Sequence, residues 1–315
     1  MLKNKRVLIG VEPSYQGAVA LTGADHAVLI EEPQWSHANA RMIARKSADS
    51  MNPLQAGFGG TLMTLAGLVR LRGAGAAYSA TVLPEGDATL RALGFQSAVD
   101  TTPGSEKVTY TLADTGFESV KIEDFVDGKK YTLTGVRANA SIAGTSGDDL
   151  LVNVTFTGHT VDPVDAALPT CTYDGTEPPP FVGVAMTLDQ GLGGEYTPVI
   201  NNVTFELNNA VNTPANANAS DGFGETRITG RGDSGVTGSF DPEDTTVATQ
   251  DWVGEWKAGT IKTIDVGPVG STQYNKISIA ATDVYYRDVA PGDRDEVLTK
   301  TIGFAVKGAL TIVFD

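Results

Sequence analysis

Along most of the chain apolar and polar residues alternate with a period of two, in runs bounded by Gly, Asp and Pro. A strand points successive side chains to opposite faces, so this period predicts antiparallel strands with one buried face. The run 150–160 is the clearest, with Val152, Val154 and Phe156 alternating with Asn153, Thr155 and Thr157. Runs 118–126 and 129–136 flank Asp127-Gly128, a pair that accepts the positive φ values of a type I′ turn and predicts a two-residue hairpin. Gly, Ser and Asp at 144–148 turn the chain into the 150–160 strand, so a meander is expected over about 106–161.

Helical signals are short. The stretch 85–93 follows Pro84, carries acids in its first turn and stops at Gly94. The stretch 245–257 follows Asp241-Pro242, ends near Gly259 and sets Val247, Trp252, Val253 and Trp256 on one stripe. Between 162 and 183, Pro163, Pro169 and Pro178-Pro179-Pro180 disfavour regular structure, which predicts a linker near the midpoint. Each flank shows one order: strand, long polar loop, strand, short helix, hairpin of long strands. In the first flank these are 27–31, 36–60, 61–71, 85–93, and 131–142 with 151–160. In the second they are 201–207, 208–224, 225–240, 245–257, and 276–286 with 297–306, turning at 291–295. The chain therefore reads as mainly β, with tandem domains 1–162 and 184–315 joined by a Pro-rich linker, 163–183.

Composition narrows the function. The 315 residues carry 23 Lys and Arg against 38 Asp and Glu, a net charge of −15, which argues against a protein that grips nucleic acid. Lys3, Lys5 and Arg6 precede the apolar run 7–11, but Glu12-Pro13 ends it too soon for a signal peptide, and no run is long enough to span a membrane. A soluble product made and assembled in a cytoplasm is expected. His26, His37 and His159 fall in different elements, Cys171 sits in the linker, and neither a nucleophile elbow nor a phosphate-binding loop is present. The acids of 288–296 lack the register of a calcium loop, and Arg231-Gly232-Asp233 reads as an exposed turn. The sequons at Asn153 and Asn202 lie inside expected strands, and Glu123 and Asp124 alternate across a strand. No catalytic residue, cofactor or metal is expected, and an assembly role is favoured over catalysis.

Several strings resemble a family. Ile9-Gly-Val-Glu-Pro-Ser-Tyr-Gln-Gly17, with Leu21-Thr-Gly-Ala-Asp25 behind it, resembles the opening of the major tail tube proteins of long, non-contractile-tailed bacteriophages. Lys129-Lys-Tyr-Thr-Leu-Thr-Gly-Val-Arg-Ala-Asn-Ala-Ser141 is similar to that family's "DGxxHxLTGARGTVSF" strand, with Lys130 or Tyr131 where the family has histidine. Leu151-Val-Asn-Val-Thr-Phe-Thr-Gly158 and Leu90-Arg-Ala-Leu-Gly-Phe95 resemble its next strand and its helix end. The likeness covers about 1–185 and is vaguer beyond.

The resemblance implies a β-sandwich or barrel whose inner strands form a tube wall once subunits close into rings. Stacked rings would make a hollow virion tail that conducts duplex DNA without binding it. It implies self-assembly, as a homotrimer with pseudo-sixfold symmetry if the chain is duplicated, or otherwise a homohexamer. It also implies contacts with other tail proteins: a tape measure in the lumen, a terminator and a distal tail protein. Long polar loops within compact domains are commonly functional, so Arg41, Arg45, Lys46, Met51 and Phe58 in 36–60 are candidates for ring stacking. Asn212, Asn216, Asn218 and Asp221 are their candidates in the second half. The competing reading is a host- or carbohydrate-binding β-sandwich module, a phage decoration or fibre protein.

Overall fold

The computed structural model describes residues 5–46, 51–189 and 195–315, so Lys3 lies outside the described residues. The first half holds β1 (Lys5–Val11), β2 (Ala27–Val28), β3 (Glu31–Ala38), β4 (Met42–Lys46), β5 (Pro53–Phe58), β6 (Leu62–Arg70) and helix α1 (Asp87–Ala92). It continues with β7 (Phe95–Asp100), β8 (Lys107–Leu112), β9 (Val120–Val126), β10 (Lys129–Thr145) and β11 (Leu150–Asp165). The second half opens with β12 (Met186–Asp189), β13 (Glu195–Tyr196), β14 (Asn202–Glu206), β15 (Val211–Asn212), β16 (Arg227–Ile228) and β17 (Val236–Phe240). Helix α2 (Trp252–Ala258), β18 (Lys262–Val269), β19 (Ile277–Arg294), β20 (Val297–Val306) and β21 (Leu310–Phe314) complete it. The fold is mainly β, as the alternation predicts.

The two halves repeat one strand order. In the first, neighbours run β2-β1-β9-β10-β11-β6-β3. In the second they run β13-β12-β18-β19-β20-β17-β14. A two-stranded arm interrupts each at the same point, β4–β5 between β3 and β6, and β15–β16 between β14 and β17. Each half places its helix between the same pair of strands, α1 before β9 and α2 before β18. The single long β11 is matched by β20 and β21, which follow one another along β19. Among the described residues the β7–β8 hairpin has no counterpart in the second half.

Local chemistry explains both the agreements and the departures. Asp127 and Gly128 turn β9 into β10 with φ of 48° and 87°, the signs a type I′ turn requires. β11 runs to Asp165, into the expected linker, because Pro163 falls at a register shift where no ladder N–H is needed. The second long hairpin turns at Asp295-Glu296, with φ of 50° and 66°, and not at 291–295. Pro291 pairs with Lys300 inside the ladder, and Lys300 donates its N–H to Pro242 O at 2.9 Å instead of to β19. The expected strand 225–240 is split, since Gly232 and Gly235, both at φ 64°, bend it between β16 and β17. The second helix is shorter than 245–257: Thr246–Gln250 is a turn, and Asp251 Oδ1 caps α2 by accepting from Gly254 N at 2.8 Å.

One apolar core runs through both halves. It takes Val152, Val154 and Phe156 from β11, Phe205 from β14 and Phe304 from β20. The Phe205 and Phe304 rings lie 5.5 Å apart, and Gly238 passes beneath them; a Cβ there would come within 2.3 Å of the Phe304 ring. Two strand joints bind the halves, β10 to β14 and β8 to β21. The linker carries no element of its own beyond the Asp149–Pro180 bridge, yet it is docked: Cys171 and Tyr173 pack on Leu8, Ala27 and Phe125.

A shared core predicts cooperative unfolding. Phe156→Ala and Phe304→Ala should each cost about 3–5 kcal/mol, and each should move a single urea transition followed by tryptophan fluorescence. Two separable transitions, with each variant moving only one, would show that the halves fold independently.

Candidate assembly surface

The expected loop at 36–60 is an arm. β3 extends to Ala38, and β4 and β5 then pair with Met42 opposite Phe58 and Arg45 opposite Gln55. Residues 47–50 and the side chain of Lys46 lie outside the described residues. The arm exposes Met42, Ile43, Met51 (99%) and Phe58 (66%), with Arg41 and Arg45 also exposed. A lone two-stranded ribbon is marginally stable in water, and clustered exposed apolar side chains mark contact surfaces. The stacking candidates Arg41, Arg45, Met51 and Phe58 are thus brought together on one projecting ribbon, with the Lys46 backbone in its ladder.

The arm's root is tied down. Arg41 N donates to Gly60 O at 2.9 Å and Gly59 N to Arg41 O at 2.6 Å. The Arg41 guanidinium lies 4.4 Å from the centroid of the Phe223 ring, a cation–π contact with the second half. Gly60 holds φ at 105° and passes so close to Asp221 O that a Cβ would sit 1.9 Å away, which only glycine permits.

The second arm behaves differently. Residues 214–224 fold back on themselves: Gly224 N donates to Pro214 O at 2.7 Å, Asn216 N to Gly222 O at 3.0 Å, and Ala215 bridges Phe223. Phe223 is buried, whereas Asn212, Asn216 and Asn218 are exposed. Asn216 Oδ1 accepts from Asn218 N at 3.0 Å, and Asn212 Nδ2 donates to Thr229 Oγ1 at 2.7 Å. Asp221 faces inward, its Oδ2 lying 2.5 Å from His159 Nδ1 on β11. The four second-half candidates therefore share a loop but not a direction. Between the two arms and the end of β11 lies a groove of about 910 Å³, lined by His37, Phe58, Val161 and Asp221 among others.

Buried polar groups seal this region. The Arg137 guanidinium donates to Thr226 O (2.8 Å), Phe117 O (3.0 Å) and Glu225 Oε1 (3.1 Å). Asn209 Nδ2 donates to Leu93 O and Ala138 O, and Tyr15 Oη accepts from Thr226 N at 2.7 Å. The sequence reading did not single out Phe223, Asn209 or Arg137, and it set His159 aside. Their partners lie 62 residues away for His159 and 116 for Asn209, beyond any local pattern.

The acids behave as strand alternation predicts. Glu123 pairs with Lys121 (2.9 Å) and Lys130 (3.4 Å), while Asp124 pairs with Lys5 (3.1 Å), so the neighbouring carboxylates do not converge. Burial pushes the Asp124 carboxyl above its ordinary pKa, with Lys5 opposing that rise. Among the described residues no group of three or more His, Cys, Asp or Glu could hold a metal ion, and no helix is long and apolar enough to cross a membrane. No protein-family model matches the chain, and no curated protein matches it.

Partial burial alone would raise Asp221, but the hydrogen bonds it accepts from His159 and from Phe223 N hold its pKa below the ordinary carboxylate value. Because the folded pKa is depressed, the stabilisation is complete above the unfolded value of ~3.9 and is lost as pH falls through the lower folded value. Asp221→Asn should loosen the 214–224 loop at neutral pH as strong acid does in the parent. Amide exchange at Asn216, Gly222 and Gly224 reads this. Unchanged protection in the variant would show that the His159 contact does not hold the loop.

Proposed function

We propose that this chain is a structural subunit that closes into rings, and that the rings stack into the hollow tail tube of a long-tailed, non-contractile bacteriophage. The single observation that carries the reading is the repeated strand order of the two halves, joined edge to edge through β10 and β14. A chain that already joins two like units side by side needs only the same joint between chains to continue round a circle. The strings of 1–185 that resemble tail tube proteins support the same conclusion.

Duplication favours a homotrimer with pseudo-sixfold symmetry over a homohexamer. If each half gives four strands to an inner wall, six halves give about 24 strands. At ~4.8 Å spacing and ~40° tilt the backbone cylinder is ~45–50 Å across, wide enough for duplex DNA once side chains are allowed for. The net charge of −15 suits such a conduit, because an acidic wall gives passing phosphates no counterion-release gain. The tape measure, terminator and distal tail proteins are the further partners of this reading, and the virion tail its location.

A carbohydrate- or host-binding module would present aromatic rings on an open concave face. Here Trp252 is buried and Trp35 stacks on Tyr131 at 4.5 Å. Trp256 keeps 37% of its surface exposed, more than a wholly core-facing stripe predicts, because its indole N–H reaches out to Arg287 O at 2.8 Å. That arrangement favours the tube reading.

On this reading the first arm links successive rings. Reversing Arg45 and Lys46 to Glu should leave soluble subunits and rings but stop elongation, as seen by negative-stain microscopy. Tubes of normal length from that variant would remove the arm from stacking, and purified parent protein that never forms rings would overturn the proposal.

A further inference from the structure

In the first half a row of facing residues crosses the sheet: Trp35 on β3, Leu65 on β6, Phe156 on β11 and Ala138 on β10. In the second half the matching row is Phe205 on β14, Gly238 on β17, Phe304 on β20 and Tyr286 on β19. Superposing the rows makes Trp35 the counterpart of Phe205, and β19 the counterpart of β10.

Inside the chain, β14 pairs with the far part of β10, on the edge that β9 occupies nearer its start. Its register runs from Asn202 opposite Thr145 to Glu206 opposite Ser141, with Phe205 opposite Ile142. Both counterparts of these two edges are uncovered. β18 covers β19 only from Ile277 to Val284, so residues 288–294 have no strand partner on that edge among the described residues. β3 pairs with β6 and has no strand partner on its other edge among the described residues. The difference is visible in burial: Val203 and Phe205 on β14 are each 1% exposed, while Trp35 on β3 is only half-buried.

We infer that β3 of one chain pairs antiparallel with residues 288–294 of β19 in a second copy of the same chain, repeating the β10–β14 joint. The inference deepens the ring-forming reading and rests on it. The register follows from the rows. Ile142 lies four residues beyond Ala138; four residues beyond Tyr286, plus one for the bulge at Arg287, is Pro291. Trp35 therefore comes opposite Pro291 and Ser36 opposite Ala290. Such a contact is head to tail, so it builds a ring where its rotation closes, or otherwise an open filament, and not a two-fold dimer.

Pro291 shapes this joint. Because Lys300 turns its N–H away to Pro242 O, the Pro291–Lys300 pair is of the non-hydrogen-bonded kind, and the proline nitrogen faces the open edge. That edge lacks one donor, so the ladder between chains is one bond shorter than the ladder within the chain. A proline on an open edge also discourages indiscriminate pairing. The edge is left selective, able to accept a strand in register and poor at accepting others.

Cysteine cross-linking tests the joint. In a Cys171→Ser background, Ser36→Cys is combined in turn with Asp288→Cys, Ala290→Cys and Gly292→Cys, and assembled protein is oxidised with diamide. Ser36 and Ala290 fall at the close, non-hydrogen-bonded kind of pair, where Cα atoms approach to about 4.5 Å, within disulfide reach. Covalent multimers should form with Ala290→Cys in highest yield, and a maximum at the neighbouring sites keeps the edge pairing with its register moved by two. Ser141→Cys with Glu206→Cys should cross-link within one chain and leave its mass unchanged. Rings seen by microscopy without cross-links from any of the three pairs would overturn the joint and leave the ring reading intact. Cross-linked multimers that never form rings or tubes would support the joint and overturn the tube reading.

Discussion

The pairing of β14 onto the far part of β10 is the interaction on which the rest of the molecule depends. A strand edge is a row of N–H and C=O groups that must find partners. β10 resolves this along 17 residues by changing neighbours, from β9 to β14, while β11 holds its other edge throughout. The change of partner needs a seam, and the seam is polar. At Ala138 the gap is filled by Asn209 Nδ2, and at Ala140 by Leu207 N at 3.1 Å. Beside them the buried Arg137 guanidinium gathers two carbonyls and a carboxylate from two separate segments, Phe117 in the first half and Glu225-Thr226 in the second. A buried cation left without such partners would be costly, so this cluster fixes one arrangement of the halves as well as stabilising it.

The difference between the two arms follows from the same joint. Pairing β14 with β10 carries the second arm onto the first half, where Phe223 finds cover under Arg41 and Asp221 meets His159. The first arm occupies the equivalent place after β3, but β3, paired with β6 on one edge, has no strand partner on its other edge among the described residues. Its apolar residues stay exposed for a topological reason, not for lack of hydrophobic character. Two like ribbons thus end in unlike states because one lies inside the chain's own joint and the other at its open end.

This also explains what could be read from the sequence. Period-two alternation located β10 and β11, whose inward-facing residues enter the shared core; β9 is buried on both faces, with Ile122 in that core and Phe125 against Leu8 and Ala27. Turn chemistry located Asp127-Gly128, but not Asp295-Glu296, where Glu296, with little intrinsic preference for positive φ, is held there by the ladder on both sides. Proline misled twice. Pro163 and Pro291 read as ends of strands, yet each sits where the ladder asks for no N–H. The long polar stretches were legible as special but not as arms, since among the described residues the β4–β5 ribbon pairs with itself and leaves Met42, Ile43, Met51 and Phe58 exposed. His159, Asn209 and Phe223 were illegible because their roles exist only after two halves distant in sequence meet.

The net charge belongs to this picture through its distribution. Many Lys and Arg side chains are committed to ion pairs that hold the fold: Lys5 with Asp124, Arg72 with Glu85, Arg91 with Asp87 and Glu118, Arg294 with Asp241 and Glu243. Arg70 alone meets Glu31, Asp148 and Asp149. Each committed cation is one less available to a phosphate backbone, so the excess of acids over bases understates how poor a surface the protein offers to DNA. The charge therefore has two parts. One is a set of internal pairs that fix loops to sheets, and the other is an acidic remainder on the outside. The conduit proposed above would have the same two needs: walls rigid enough to keep their bore, and surfaces that let a polyanion slide past.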